Sequence, residues 1–321
     1  MALEFALAGL GLVTLLLAGD LLVKGAVNLS LRLGIPALLV SLTVVAFGTS
    51  APELLVSIQS ILVGAPGLAL GNVVGSNTAN VLLVLGIPAM ISGMQAASDT
   101  RKSYLIMIGG SLVFTALAFL GPFEWWHGLI LLALLAYVLV DTARAATSHR
   151  SAANGAAALA AAESVELEEA DPDMPWWKIA LFLVAGLAGL PLGADLLVDS
   201  SVAIATAYGI SETVIGLTLV AIGTSLPELA TTIMAAIRRH TDVALGNVIG
   251  SNMFNLLGII GISSLVGPIP VDPAILRLDI WVMLAASAVL APFVFLRWPM
   301  GRLVGVVSTM LYAGYLLVLL L

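Results

Sequence analysis

The chain has 321 residues, 60% hydrophobic and 10% charged, with a net charge of −7. That leaves too few polar groups to coat a water-soluble globule, in which roughly a quarter of residues are charged, so the composition is that of a membrane protein. The lack of cysteine excludes disulfides, thiolate nucleophiles and cysteine metal sites together. His127, His149 and His240 sit beside aromatic, basic or polar neighbours typical of span ends, which argues against a histidine-bound metal. The acidity is local: Glu163, Glu166, Glu168, Glu169, Asp171 and Asp173 fall in one short stretch. No basic stripe points to nucleic acid.

A span needs about 20 mostly apolar residues, and the chain offers ten such runs. In order they cover about 3 to 23, 36 to 63, 67 to 92, 103 to 121, 125 to 141, 176 to 198, 211 to 237, 243 to 266, 279 to 297 and 302 to 321. The first lacks a basic leader and a small-residue cleavage site, so it reads as a retained helix. Runs of this length are helices, because lipid offers the backbone no hydrogen-bond partners. With the N-terminus outside, Lys24, Arg32, Arg101, Lys102, Arg144, Arg150, Lys178, Arg238, Arg239, Arg297 and Arg302 all fall on the cytoplasmic side. Arg277 alone falls outside. That bias predicts an N-out, C-out topology in the inner or plasma membrane of a prokaryote.

The sequence repeats itself at an offset of 175. Residues 40 to 54, VSLTVVAFGTSAPEL, return at 215 to 229 as IGLTLVAIGTSLPEL, and 69 to 80, ALGNVVGSNTAN, return at 244 to 255 as ALGNVIGSNMFN. The chain is therefore expected to be all-α, with two five-helix repeats: 1 to 141, with its motif at 40 to 80, and 176 to 321, with its motif at 215 to 255. An odd number of spans per repeat inverts the second copy, an architecture of secondary transporters. The segment 142 to 175 is Ala-rich and then acidic. It reads as a cytoplasmic solvated spacer, part of it a surface helix in one arrangement, with calcium sensing the alternative.

Glu53 and Glu228 occupy equivalent positions deep inside apolar runs. A carboxylate at bilayer depth costs at least about 2.5 kcal/mol, so each must face a polar interior or a ligand. The bland reading is a salt-bridged or protonated packing residue, but no Lys or Arg lies in either run to pair with it. Pro52 and Pro227 precede them and remove the hydrogen bond to the carbonyls of Gly48 and Gly223. Helices 2 and 7 should break there and expose the carbonyls of Ala46, Thr49, Ala221 and Thr224 beside the hydroxyls of Thr49, Ser50, Thr224 and Ser225. A kink without ligand function is the alternative.

In the second motif Asn72, Ser76 and Asn80 recur at steps of four, as do Asn247, Ser251 and Asn255, so each trio shares a helix face. Gly71 with Gly75, and Gly246 with Gly250, are small-residue pairs that permit close helix approach. For Asn72, Asn77, Asn247 and Asn252 interhelical hydrogen-bond glue is the alternative. All the candidate ligands are oxygens, a set suited to a hard cation such as Ca²⁺, whose charge two glutamates balance. Overlapping Na⁺ sites would make the two ions mutually exclusive.

The paired GTSxPEL and GNVxGSNxxN motifs resemble the two α-repeats of the calcium/cation antiporter superfamily, closest to prokaryotic sodium/calcium exchangers. The resemblance implies ion ligands at Ala46, Thr49, Ser50 and Glu53 on the second span, and Ser76 and Asn80 on the third. It implies Ala221, Thr224, Ser225 and Glu228 on the seventh, and Ser251 and Asn255 on the eighth. It also implies that spans one and six slide across the other eight. Potassium-dependent members tend to carry aspartate at an equivalent motif position, whereas Asn80 and Asn255 are neutral, which speaks against a potassium requirement. Proton-coupled relatives usually differ in the third and eighth spans, so the GSN motifs favour sodium, with proton/Ca²⁺ exchange as runner-up.

The expected activity is thus antiport of Na⁺ and Ca²⁺, with the two ions and the lipid bilayer as partners. No cofactor, nucleic acid or obligatory protein partner is expected. An intramembrane hydrolase using the two glutamates lacks any serine–histidine pairing or HExxH motif, and a passive channel is a third reading.

Overall fold

The structure is a computed structural model that describes residues 2–96, 100–153, 171, 173–209 and 221–320. The elements are helical. Helix α1 spans Ala2–Leu33, and α2 (Ala37–Thr49) is followed across a 41° bend by α3 (Ala51–Leu62). Helix α4 covers Gly67–Ser92, α5 Thr100–Phe119 and α6 Trp125–Ala153. In the second half α7 covers Trp176–Ala207, α8 is the turn Ala221–Gly223 and α9 spans Leu226–Ile237. Helix α10 covers Thr241–Val266, α11 Ile275–Phe295 and α12 Arg302–Leu320.

Among the described residues eight of these helices are long and apolar enough to cross a bilayer, and the bent pair α2–α3 makes a ninth. The expected seventh span, 211 to 237, is described only from Ala221, where α8 and α9 form its second part. Two ends differ from expectation. Helix α1 continues ten residues beyond the apolar run, through Lys24, Asn28 and Arg32, and α7 continues past Val198 to Ala207. Hydropathy marks where lipid contact stops, and the backbone keeps its helical bonds into the polar region. For the same reason the start of the expected spacer is helical, as α6 runs on to Ala153.

Helices α4 and α10 are mostly buried, whereas α1, α6, α7 and α12 bury a third or less of their apolar stretches and carry exposed apolar side chains that would face lipid. The motif helices therefore form the centre. Short antiparallel bridges join the halves at the rims: Met94 pairs with Met300 and Phe123 with Ile269. At one rim Asp20 of α1 is ion-paired with Lys24 (3.1 Å) and with Arg238 at the end of α9.

Helices α1 and α7 touch backbone to backbone because glycines line their contact. A Cβ on Gly186 would stand 2.8 Å from Leu22 N and 2.9 Å from Ala18 O, and one on Gly193 would stand 2.8 Å from Leu15 N. On α10, Gly246 and Gly250 seat α2 in the same way, with Leu38 O at 3.0 Å and Leu42 O at 2.6 Å from the built Cβ positions. The repeat-equivalent partners of Gly71 and Gly75 fall at 213 to 221, nearly all outside the described residues. Filling the α1–α7 contact should cost stability, as overpacking does by about 1–3 kcal/mol. Gly186→Val should lower the melting temperature of the detergent-solubilised protein by a few degrees, while Gly9→Val, which meets nothing within 4 Å, should not. Equal melting of both variants would contradict this packing.

Candidate functional site

The two helix breaks are built alike. Helix α2 stops at Thr49 and α3 starts at Ala51, with Ser50 between them at φ −85°, ψ 6° and Pro52 in the first turn. Helix α9 starts at Leu226 after Ser225 at φ −90°, ψ 4°, with Pro227 in its first turn. Proline is tolerated in a first turn because the amide it lacks has no partner there. Glu53 and Glu228 follow each proline, so both carboxylates occupy the positive end of a half-helix, where backbone dipoles favour negative charge. Both are 0% exposed.

These elements converge. Glu53 lies within electrostatic reach of Glu228, and Ser50, the capping residue of the Glu53 helix, donates through Oγ to Glu228 Oε1 at 3.0 Å. Thr49 donates to Asn247 Oδ1 at 3.2 Å and lies 3.5 Å from Ser251 Oγ, which ties the break in α2 to α10. Asn72 Nδ2 reaches Glu53 O (3.4 Å) and Ser57 Oγ (3.3 Å); 175 residues later Asn247 Nδ2 reaches Glu228 O (3.5 Å) and Thr232 Oγ1 (3.3 Å). Between α4 and α10, Asn80 donates to Asn252 Oδ1 at 3.1 Å and Asn252 donates to Asn77 O at 3.3 Å.

The expected residues are thus placed as follows. Thr49 lies beside Ser251 and Ser50 bonds to Glu228, while Glu53 is buried in the first turn of α3 after Ser50. Ser76, Ser225 and Asn255 are buried on the motif helices and Thr224 is half-buried. The surroundings of Ala221 lie outside the described side chains. One expectation is corrected. The Ala46 carbonyl is not released by the break, because Ser50 N donates to it at 3.1 Å and Thr49 Oγ1 approaches at 3.3 Å. The chain leaves the helix only at Ser50, so the turn ending there still closes on Ala46. In the second half Ser225 N closes a tighter turn on Ile222 O (3.0 Å) instead. Asn72 and Asn247, read from the sequence as interhelical hydrogen-bond glue, do bond across helices, whereas Ser57 and Thr232 were not singled out; their only sequence signal is the 175-residue offset that relates them.

Unsatisfied polar atoms collect at this place. Among the described residues thirteen buried side-chain N or O atoms have no hydrogen-bond partner, and eight belong to the two motifs. They are both Glu53 oxygens, Glu228 Oε2, Ser225 Oγ, Asn77 Oδ1, Asn80 Oδ1 and both ends of Asn255. A buried acceptor without a donor costs about 1–3 kcal/mol, and more if charged, so natural proteins hold few. Seven of these eight are oxygens, which a hard cation would satisfy. Among the described residues no three His, Cys, Asp or Glu side chains gather to hold a metal ion.

Comparison with known proteins places this geometry. Residues 3–141 and 178–321 match the family described as sodium/calcium exchanger protein. The chain is 34% identical to the sodium/calcium exchanger MaX1 of Methanosarcina acetivorans, over 98% of each chain. It is 35% identical to inner membrane protein YrbG of Escherichia coli, over 96% of this chain and 94% of that one. A structure of the sodium-calcium exchanger NCX_Mj soaked with zero Na⁺ and Ca²⁺ superposes with a TM-score of 0.83 at 31% identity, over 99% of each chain. The chain belongs to the sodium/calcium exchanger family and is a multi-pass membrane antiporter of that family.

Glu53→Gln and Glu228→Gln keep the side-chain shape and remove half of the pair's charge. Each should reduce Ca²⁺ binding to the purified protein, measured calorimetrically, by at least about 100-fold, because a charge facing a divalent ion in a dry site is worth several kcal/mol. Wild-type Ca²⁺ affinity in either variant would mean that carboxylate is not a ligand.

Proposed function

We propose that this chain exchanges Na⁺ for Ca²⁺ by alternating access to the site between its two breaks. The observation that carries the reading is the pair of buried glutamates on equivalent half-helices, with buried oxygens on the same motifs that have no partner among the described residues. Two negative charges neutralise one Ca²⁺, and hydroxyl, amide and carbonyl oxygens complete the six to eight contacts it takes. The proposed ligands are Glu53, Glu228, Thr49, Thr224, Ser50, Ser225, Ala46, Ala221, Ser76, Ser251, Asn80 and Asn255. Na⁺ ions occupying the same oxygens exclude Ca²⁺, and that competition is sufficient for counter-transport. We place 1 to 141 and 176 to 321 as inverted repeats joined by 142 to 175, with both termini outside a prokaryotic cell membrane.

Proton/Ca²⁺ exchange is the second reading. It is favoured by Glu53, neither of whose carboxylate oxygens has a hydrogen-bond partner among the described residues, since protonation would remove the uncompensated charge. Measured ⁴⁵Ca²⁺ uptake into proteoliposomes decides between the two. Outward Na⁺ gradients should drive uptake, and outward K⁺ gradients should not. Uptake that follows an imposed pH gradient and ignores sodium would replace the first reading with the second.

Either way protons compete for the carboxylates. A protonated glutamate loses its charge for Ca²⁺, so uptake should fall as pH drops. Flat activity down to about pH 5, near the ordinary carboxylate range, would contradict a role for these groups.

A further inference from the structure

Asn247 stands outside the oxygen set assigned above, yet its two ends tie different halves together. Its Nδ2 donates to Thr232 Oγ1 at 3.3 Å and to Glu228 O at 3.5 Å, and its Oδ1 accepts from Thr49 Oγ1 at 3.2 Å. The network fixes which way the amide faces. Thr232 donates its only proton to Glu228 O at 2.7 Å, so towards Asn247 it can only accept. The nitrogen must therefore face Thr232, and the oxygen faces Thr49.

The consequence falls on Thr49. Its hydroxyl has one proton and two lone pairs; among the described residues Asn247 Oδ1 at 3.2 Å and Ala46 O at 3.3 Å are the nearest acceptors, with Ser251 Oγ, able to donate or accept, at 3.5 Å. Ala46 O already accepts the Ser50 amide at 3.1 Å. A carbonyl has two lone pairs, so a proton from Thr49 would occupy the one that remains. Sent to Asn247 instead, the proton leaves that Ala46 lone pair and the Thr49 oxygen open to a cation.

We propose that Asn247 is a positioning residue for the transported ion: by taking the Thr49 proton, it turns the oxygens of Thr49 and Ala46 into acceptors facing the cargo. This rests on the ion site proposed above. Partners that orient metal ligands in this way typically alter metal affinity 10–100-fold when removed.

The test is Ca²⁺ titration calorimetry on the purified full chain, arranged as a double-mutant cycle. Asn247→Leu should weaken Ca²⁺ binding by about 10-fold or more. Thr49→Val should weaken it as well, but in the Thr49→Val background Asn247→Leu should add less than about 2-fold, because its effect passes through the missing hydroxyl. A merely structural asparagine would give losses that multiply, and that result overturns the proposal. Wild-type affinity in Asn247→Leu overturns it too. Should Asn247→Leu fail to fold, Asn247→Asp keeps an oxygen towards Thr49, so Thr49→Val must still weaken binding in that background; no effect there counts against the proposal. Glu53→Gln and Glu228→Gln run in parallel. If they bind Ca²⁺ normally, the ion site itself is wrong and the positioning role falls with it; if they lose binding while Asn247→Leu does not, only the positioning role fails.

Discussion

The arrangement of this protein follows from the free energy of placing a carboxylate where water cannot reach it. An ionised glutamate in the interior of a membrane protein needs opposite charge, hydrogen-bond donors or favourable dipoles. Glu228 receives one donor, Ser50, and Glu53 receives none among the described residues. What both receive is a place in the first turn of a half-helix, where the amide dipoles point at them. That compensation is partial, and under the proposed function a divalent cation between the two carboxylates would supply the rest. The helix breaks, the prolines after them and the polar faces of α4 and α10 all serve the placement of those two charges.

The two halves repeat in sequence more closely than in their contacts. Ser50 bonds to Glu228, while its counterpart Ser225 has no partner for its Oγ among the described residues. The turn at Ser50 closes on Ala46, four residues back, and that at Ser225 closes on Ile222, three back. Asp20 on α1 is held by Lys24 and Arg238, whereas its counterpart Asp195 is exposed and Val63 stands at the position equivalent to Arg238. The proposed alternation between two faces requires the halves to differ at any one moment, and these differences are of that kind.

Much of this was legible in the sequence because duplication isolates what matters. Glu53 and Glu228 stand out as the charges within their runs, and Pro52 and Pro227 mark the breaks to within two residues. The helix ends of α1 and α7 were not legible, because apolar composition reports contact with lipid and not the reach of backbone hydrogen bonds through Lys24 or Arg32. The state of the Ala46 carbonyl was missed for a related reason: proline deprives the carbonyl four residues back, at Gly48, of its donor and says nothing about how the turn before it closes. The link from Asn247 to Thr49 joins residues 198 apart in the chain. An asparagine on a helix face reads alike as ligand, glue or positioner until the opposite neighbour is known.

The central claim is that one divalent ion is shared by the two glutamates. A crystal of the purified protein soaked in Sr²⁺, whose anomalous scattering marks the ion directly, addresses it. The account predicts one peak within coordinating distance, about 2.3–2.6 Å for Ca²⁺ and slightly more for the larger Sr²⁺, of carboxylate oxygens from both Glu53 and Glu228. A peak held by one of them alone, or placed away from both, would contradict it.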